Sequence, residues 1–198
     1  MLGITIDKEL TFIPHIKELC SRTNLKTKAL LRIRNNLSDS QAKLLYNAYI
    51  FSNFLYCPIV WMFTNKEGYN LLKRTHHKSL KAVYNKFNQD YETLTLSSGN
   101  PNIHILHLQK LATEVYKFLN CSSPSKMKNL LIPKVSNRTL RGGNLLKLPL
   151  LKNTNAWLFR SILLWNNLPV NIKECTSVNI FKTSIKTANL YCNCKICT

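Results

Sequence analysis

The run KLLYNAYIFSNFLYCPIVWMF, residues 43–63, constrains this chain more than any other stretch. It is apolar on nearly every side of a helix. A membrane-spanning helix needs about 20 predominantly apolar residues. Here Asn47, Ser52 and Asn53 interrupt the run, and Pro58 breaks it. The stretch therefore reads as the buried centre of a helical domain. Its start is marked by Ser38, with Gln41 three residues on, the spacing of a capping box.

The flanking segments have helical periodicity. From Pro14 to Arg34, Ile16, Leu19, Thr23, Leu30 and Ile33 hold one face. Lys17, Arg22, Lys26, Lys28, Arg32 and Arg34 supply much of the rest. A second helix is predicted from Lys66 to Asn85, with Tyr69, Leu72, Leu80 and Val83 inward and His76 near the same side. Lys73, Arg74, Lys78 and Lys81 make its outer side basic. After the Ser98–Pro101 punctuation, Ile103 to Leu119 forms another helix, striped by Leu108, Leu111, Val115 and Phe118. The texture then changes. Ser122 to Ser125 is a break around Pro124, and Val135 to Lys152 reads as a basic loop or loose hairpin carrying Arg138 and Arg141. An apolar element ends at Pro169. A last amphipathic helix covers Ser177 to Ala188, with Phe181 and Ile185 inward. At the other end, MLGITID reads as one short strand with no partner nearby. The predicted fold is mostly α, with one N-terminal strand and an irregular basic C-terminal extension.

Charge narrows the function. The 198 residues hold 28 Lys and Arg against 9 Asp and Glu, net +19. Residues 1–100 carry 14 basic and 7 acidic groups, and residues 101–198 carry 14 and 2. So large a surplus favours polyanionic partners, nucleic acid first and an anionic membrane surface second. The basic helix faces read either as solvated surface or as strips that lie along phosphates.

Catalytic signatures are sparse. Asp7, Asp39 and Asp90 are far apart, and none stands beside a second acid, as two-metal phosphoryl chemistry would want. No phosphate-cradling glycine motif is complete at Gly142-Gly143. His76-His77 and His104-x-x-His107 lack a zincin-like acid and read as satisfied or exposed histidines. Seven cysteines, an odd number, are scattered in a way unlike a secreted disulfide scaffold, which points to a reducing, intracellular setting in nucleus or cytoplasm. Asp7 and Glu9 stand where a signal peptide would be basic. Three cysteines close the chain as C-x-C-x-x-C, at 192, 194 and 197. That is one ligand short of a structural zinc site. Cys175 is the candidate fourth ligand from 17 residues upstream, with Cys121 and the remoter His107 behind it. A reactive tail and a redox pair are the competing readings.

The order of several segments resembles a known family. LGITID…LTFIPHI (2–16), LLYNAYIFSNFLYCPIVW (44–61), LLKRTHHKSLKAVYN (71–85) and LWNNLPVNIKECTSVNIFKTSIK (164–186) resemble the region downstream of the catalytic palm in reverse transcriptases of non-LTR retrotransposons, LINE- and jockey-like. The Cys-rich end resembles theirs too. The resemblance implies a palm-edge strand at 1–12, a helical thumb-like domain at 13–121, a C-terminal extension at 122–190 and a Cys-rich tail at 191–198. In that family the metal-binding aspartates precede the LGITID-like segment, and Asp7 does not match one of them. The implied function is a fragment of an RNA-directed DNA polymerase, inactive alone, with Mg²⁺ belonging only to the complete parent enzyme. It would hold RNA or DNA by the backbone, through Lys26, Lys28, Arg32, Arg34, Lys73, Arg74, Lys78 and Lys81, with Arg138 and Arg141 added from the basic loop. The rest of a retroelement polyprotein is the implied protein partner. A domesticated protein-interaction module and the non-catalytic part of a split polymerase are the alternatives.

Overall fold

The computed structural model describes residues 3–99, 101–121, 129–134, 145–150, 156–192, 194 and 196. The chain divides into two compact units, 1–104 and 105–198.

The first unit is built on α1 (Ile13–Ile33), with Pro14 in its first turn. Its buried stripe holds Ile16, Leu19, Cys20 and Leu30, together with Thr23 and Thr27. The two threonines tolerate burial because each hydroxyl donates to a carbonyl one turn back, Leu19 O and Thr23 O. α2 (Asp39–Leu45) starts with the capping box read from sequence: Ser38 Oγ accepts from Gln41 N–H, and Gln41 Oε1 accepts from Ser38 N–H. The helix then widens into a π-helical segment, Tyr46–Phe51, before one further α turn, α3 (Ser52–Phe54). Widening shifts the backbone pairing, and side chains take up nearby carbonyls. Asn53 Nδ2 donates to Tyr49 O and Ile50 O, and Ser52 Oγ to Ala48 O. Ala42, Tyr46, Ile50 and Phe54 are buried at four-residue spacing, while Leu44, Tyr49 and Tyr56 are exposed. The apolar run is therefore buried along one face and not all round.

Cys57, at φ 44°, turns the chain, and Pro58 opens α4 (Pro58–Trp61), so the break falls where the proline predicts it. Trp61 reaches the core with no exposure. α5 (Lys66–Tyr84) begins with Asn65 accepting from Gly68 N–H, and it packs along α1. Gly68 is required by proximity, since a Cβ there would lie 2.5 Å from Thr64 Oγ1. α6 (Tyr91–Ser98), capped by Asp90, is an element the sequence reading did not anticipate. α7 (Ile103–Asn120) begins at the end of this unit and continues into the next.

The N-terminal strand does not form. Among the described residues there is no β-strand, and residues 4–7 join no ladder. No neighbouring strand offers pairing, and the segment bonds to α1 instead. Thr5 N–H donates to His15 Nδ1 and Thr5 Oγ1 to Glu18 Oε2. Asp7 accepts from the Thr11 amide and hydroxyl and from the Phe12 amide. These bonds fix a turn in which Leu10 and Phe12 both have positive φ. Partial desolvation would raise the Asp7 carboxyl, but these donors outweigh it and hold it below its usual range.

At the centre of this unit a buried polar chain joins four elements. Tyr46 Oη lies 2.8 Å from His76 Nε2, and His76 Nδ1 lies 2.9 Å from Tyr91 Oη. Tyr91 Oη accepts from Ile103 N–H at 3.1 Å. In the arrangement that lets Tyr91 both donate and accept, the Tyr91 proton goes to Nδ1, which places the ring proton on Nε2, facing Tyr46. Burial pushes both phenols above their usual range, so they stay protonated.

The second unit contains α7 from residue 105 onward, α8 (Trp157–Asn166), α9 (Val170–Lys173) and α10 (Val178–Ser184). Leu108, Leu111, Val115, Trp165 and Phe181 are buried here. The rings of Tyr116 and Phe181 stack at 4.4 Å, and Phe181 also meets Trp165. The W-N-N-L-P segment, residues 165–169, has a structural task at nearly every position. Trp165 and Leu168 are buried. The Asn166 amide pairs with both backbone groups of Leu146, as a strand would. Pro169 O accepts from Ile172 and Lys173 N–H to start α9. A single antiparallel bridge, Pro133 to Leu146, is what the described residues show of the predicted loose hairpin. The expected break at Ser122 to Ser125 lies outside the described residues. Among the described residues no helix is long and apolar enough to cross a membrane.

Tyr91→Phe should lower unfolding stability by about 1–3 kcal/mol, because it strips partners from a buried amide and a buried imidazole. Urea unfolding followed by circular dichroism measures it. Tyr84→Phe, whose hydroxyl makes a 3.4 Å bond to Ser98 O, should cost much less.

Candidate functional site

The predicted nucleic-acid-binding cations separate into two groups. Lys28 and Arg32 are exposed and stand one turn apart on α1, on the side opposite its buried stripe. Arg74 and Lys78 do the same on α5, with half-buried Lys81 continuing the row. None of these five makes an ion pair with a described residue. Lys26 is exposed and donates to Asn53 Oδ1 at 3.0 Å.

Arg34 and Lys73 are engaged internally. Arg34 is buried, and its guanidinium is divided among Val83 O, Leu37 O and the Asp39 carboxylate. It clamps the end of α1 to the end of α5. Lys73 pairs with Glu92 at 2.7 Å and sits over the Tyr91 ring. The Glu92 hydrogen bond, against partial desolvation, raises the Lys73 ammonium, and the same bond lowers the Glu92 carboxyl. Arg138 and Arg141 lie outside the described residues.

The three aspartates do not converge. Asp7 holds the turn before α1, Asp39 stands in the first turn of α2 against Arg34, and Asp90 caps α6 by accepting from Thr93 N–H. Carboxylates at helix starts are favoured by the exposed amides and the helix dipole.

Two of the four predicted metal ligands come together. Cys192 and Cys194 are buried, and their sulfurs and a ring nitrogen of His104 all lie within 4.8 Å of one another. This His/Cys/Cys cluster could hold a metal ion. His104 stands in the first turn of α7, so the helix fixes its place. Sequence reasoning set His104 aside for want of a neighbouring acid, and no local spacing relates it to cysteines 88 and 90 positions away. Cys175 is elsewhere, its thiol near Asn171 O and Ser184 Oγ. Cys197 lies outside the described residues. In the second unit two further cations face inward. Arg160 Nη1 donates to Cys192 O, and Lys173 Nζ donates to Asn166 O. Burial lowers the Lys173 ammonium from its usual range.

No protein-family model, curated protein or solved structure matches the chain significantly.

Arg34→Gln should destabilise the first unit by about 1.5–3 kcal/mol, since it removes charge-assisted bonds to buried carbonyls. Lys28→Gln should change stability by no more than about 0.5 kcal/mol. Paired denaturation curves test the division between spent and available cations.

Proposed function

We propose that the chain is a nucleic-acid-binding helical module, the region of a retroelement RNA-directed DNA polymerase downstream of its catalytic palm, without polymerase activity of its own. The observation that carries this reading is the set of exposed cations on α1 and α5, Lys28, Arg32, Arg74 and Lys78, which no described acidic group neutralises. Side chains of this kind, at one-turn spacing, meet successive phosphates and release counterions. They contact the backbone, so the binding is independent of base sequence. The segment order quoted above supports the family, and the structural roles of Asp7 in a turn, Asp39 against Arg34 and Asp90 as a helix cap agree with a chain whose carboxylates serve the fold.

Zinc is the metal we assign to the His104, Cys192 and Cys194 cluster. A nitrogen and two sulfurs are the donor types that zinc prefers, and their burial suits a structural ion more than a catalytic one.

Binding to duplex DNA should weaken steeply between ~50 and ~200 mM salt. The double variant Arg74→Gln/Lys78→Gln should flatten the log–log salt slope by about 1.8, or about 0.9 per lost contact. Fluorescence anisotropy reads this, and a salt-independent curve would exclude the phosphate-contact reading. Separately, the reduced protein should take up one equivalent of Co²⁺ or Zn²⁺, with thiolate-to-cobalt absorbance. Cys192→Ser and His104→Ala should abolish uptake, and Cys175→Ser should leave it intact. Absence of uptake by the unaltered chain would reject the zinc assignment.

A further inference from the structure

A cleft of about 430 Å³ opens in the first unit between α1 and the turns around α3, lined in part by His15, Arg22, Ser52, Asn53 and Tyr56. Its size is within the range of small-molecule sites. His15, Leu19 and Arg22 recur at i, i+4 and i+7, so one stripe of α1 forms one wall.

Two N–H-bearing side chains of α1, His15 and Arg22, line this cleft. His15 is 1 % exposed, and its Nδ1 accepts from Thr5 N–H. A neutral ring that accepts at Nδ1 carries its proton on Nε2. That Nε2 is buried and has no acceptor among the described residues. Burial first, and the Arg22 charge second, lower the His15 pKa against an opposing pull from Glu18, which keeps the ring neutral near pH 7. Arg22 is half-exposed and touches Glu18 only through Nε, at 3.9 Å. Lys26, one turn further along α1, is drawn to the rim by Asn53 Oδ1. The Asn53 amide is itself fully engaged, with Nδ2 on Tyr49 O and Ile50 O. Unmet donors and two cations suit an anion. The exposed ring of Tyr56 at the cleft adds a flat apolar surface. Phosphate donors beside an exposed aromatic ring are the pairing that single-stranded nucleic acid uses.

We propose that this cleft seats one nucleotide unit of a single strand, with the phosphate on the Arg22 guanidinium and His15 Nε2–H, Lys26 at the rim, and the base against the Tyr56 ring. This rests on the nucleic-acid reading given above, and adds to it a built site distinct from the outward cations of α1 and α5.

The test is titration of the full chain with thymidine 5′-monophosphate, thymidine and inorganic phosphate, followed by calorimetry and by the His15 ring ¹⁵N signals. The nucleotide should saturate one site at least tenfold tighter than either part alone, and shift the Nε2–H signal. Arg22→Gln, at a half-exposed position, should weaken it about tenfold. His15→Phe should do the same, and His15→Gln, which keeps an N–H donor, should recover most of it. Lys78→Gln should change nothing. If His15→Phe does not fold, Arg22→Gln and the ring signals decide. No saturable nucleotide binding, equal affinity for inorganic phosphate alone, or an unaffected Arg22→Gln variant would each overturn the proposal. Salt-sensitive binding of long oligothymidylate that survives in Arg22→Gln, with no mononucleotide site, would sink the cleft and leave the surface reading standing. Mononucleotide binding without oligonucleotide affinity would sink the surface reading alone.

Discussion

The first unit depends on an imidazole buried between two phenols. His76 has no solvent access, so both its ring nitrogens need protein partners. Tyr46 supplies one from the π-helical segment and Tyr91 the other from the first residue of α6. Tyr91 in turn takes the amide of Ile103, where α7 begins. Apolar contacts alone would let these elements slide. A chain of directional bonds among buried groups fixes their register, because any slip leaves a donor or acceptor unmet in a low-dielectric interior. The aromatic rings around His76, from Phe51 and Phe54 as well as the two tyrosines, exclude water from the chain.

That register makes the π-helical segment matter. Residues 46–51 must bring Tyr46 to His76 while Ile50 and Phe54 stay buried. The same widening turns Ser52 and Asn53 onto backbone carbonyls, and with Tyr56 they form one side of the cleft whose other side is α1. The cleft is thus a consequence of how the core chain is satisfied. α1, α3 and the turn that follows α3 hold it in place.

Much of the first unit was legible because its signals are local. The Ser38/Gln41 capping box, the break at Pro58 and the stripes of α1 and α5 each depend on residues within a turn or two. The strand expected at MLGITID failed for a reason no local pattern carries. Extended propensity gives a strand only if a second edge is available, and here Thr5 and Asp7 found partners on α1 and in its preceding turn. α6 was missed because TLTLSS lacks a helical stripe, and its cap at Asp90 is its clearest signal. The His/Cys/Cys cluster was half legible. C-x-C spacing marks Cys192 and Cys194, but His104 joins them through the fold, over a separation that sequence spacing cannot span.

A cation count is a poor guide to an interface until the cations used by the fold are subtracted. Arg34, Lys73, Arg160 and Lys173 all add to the net +19, yet each serves the interior or an internal pair. Burial of such groups is tolerated because each meets carbonyl or carboxylate oxygens. Sequence position does not distinguish Arg34 from Arg32, two residues away and fully available. Helical phase does, since α1 buries one side and presents the other. The residues that remain after this subtraction fall into rows on two helices, and the proposal of a polyanionic partner rests on that ordering more than on the total charge.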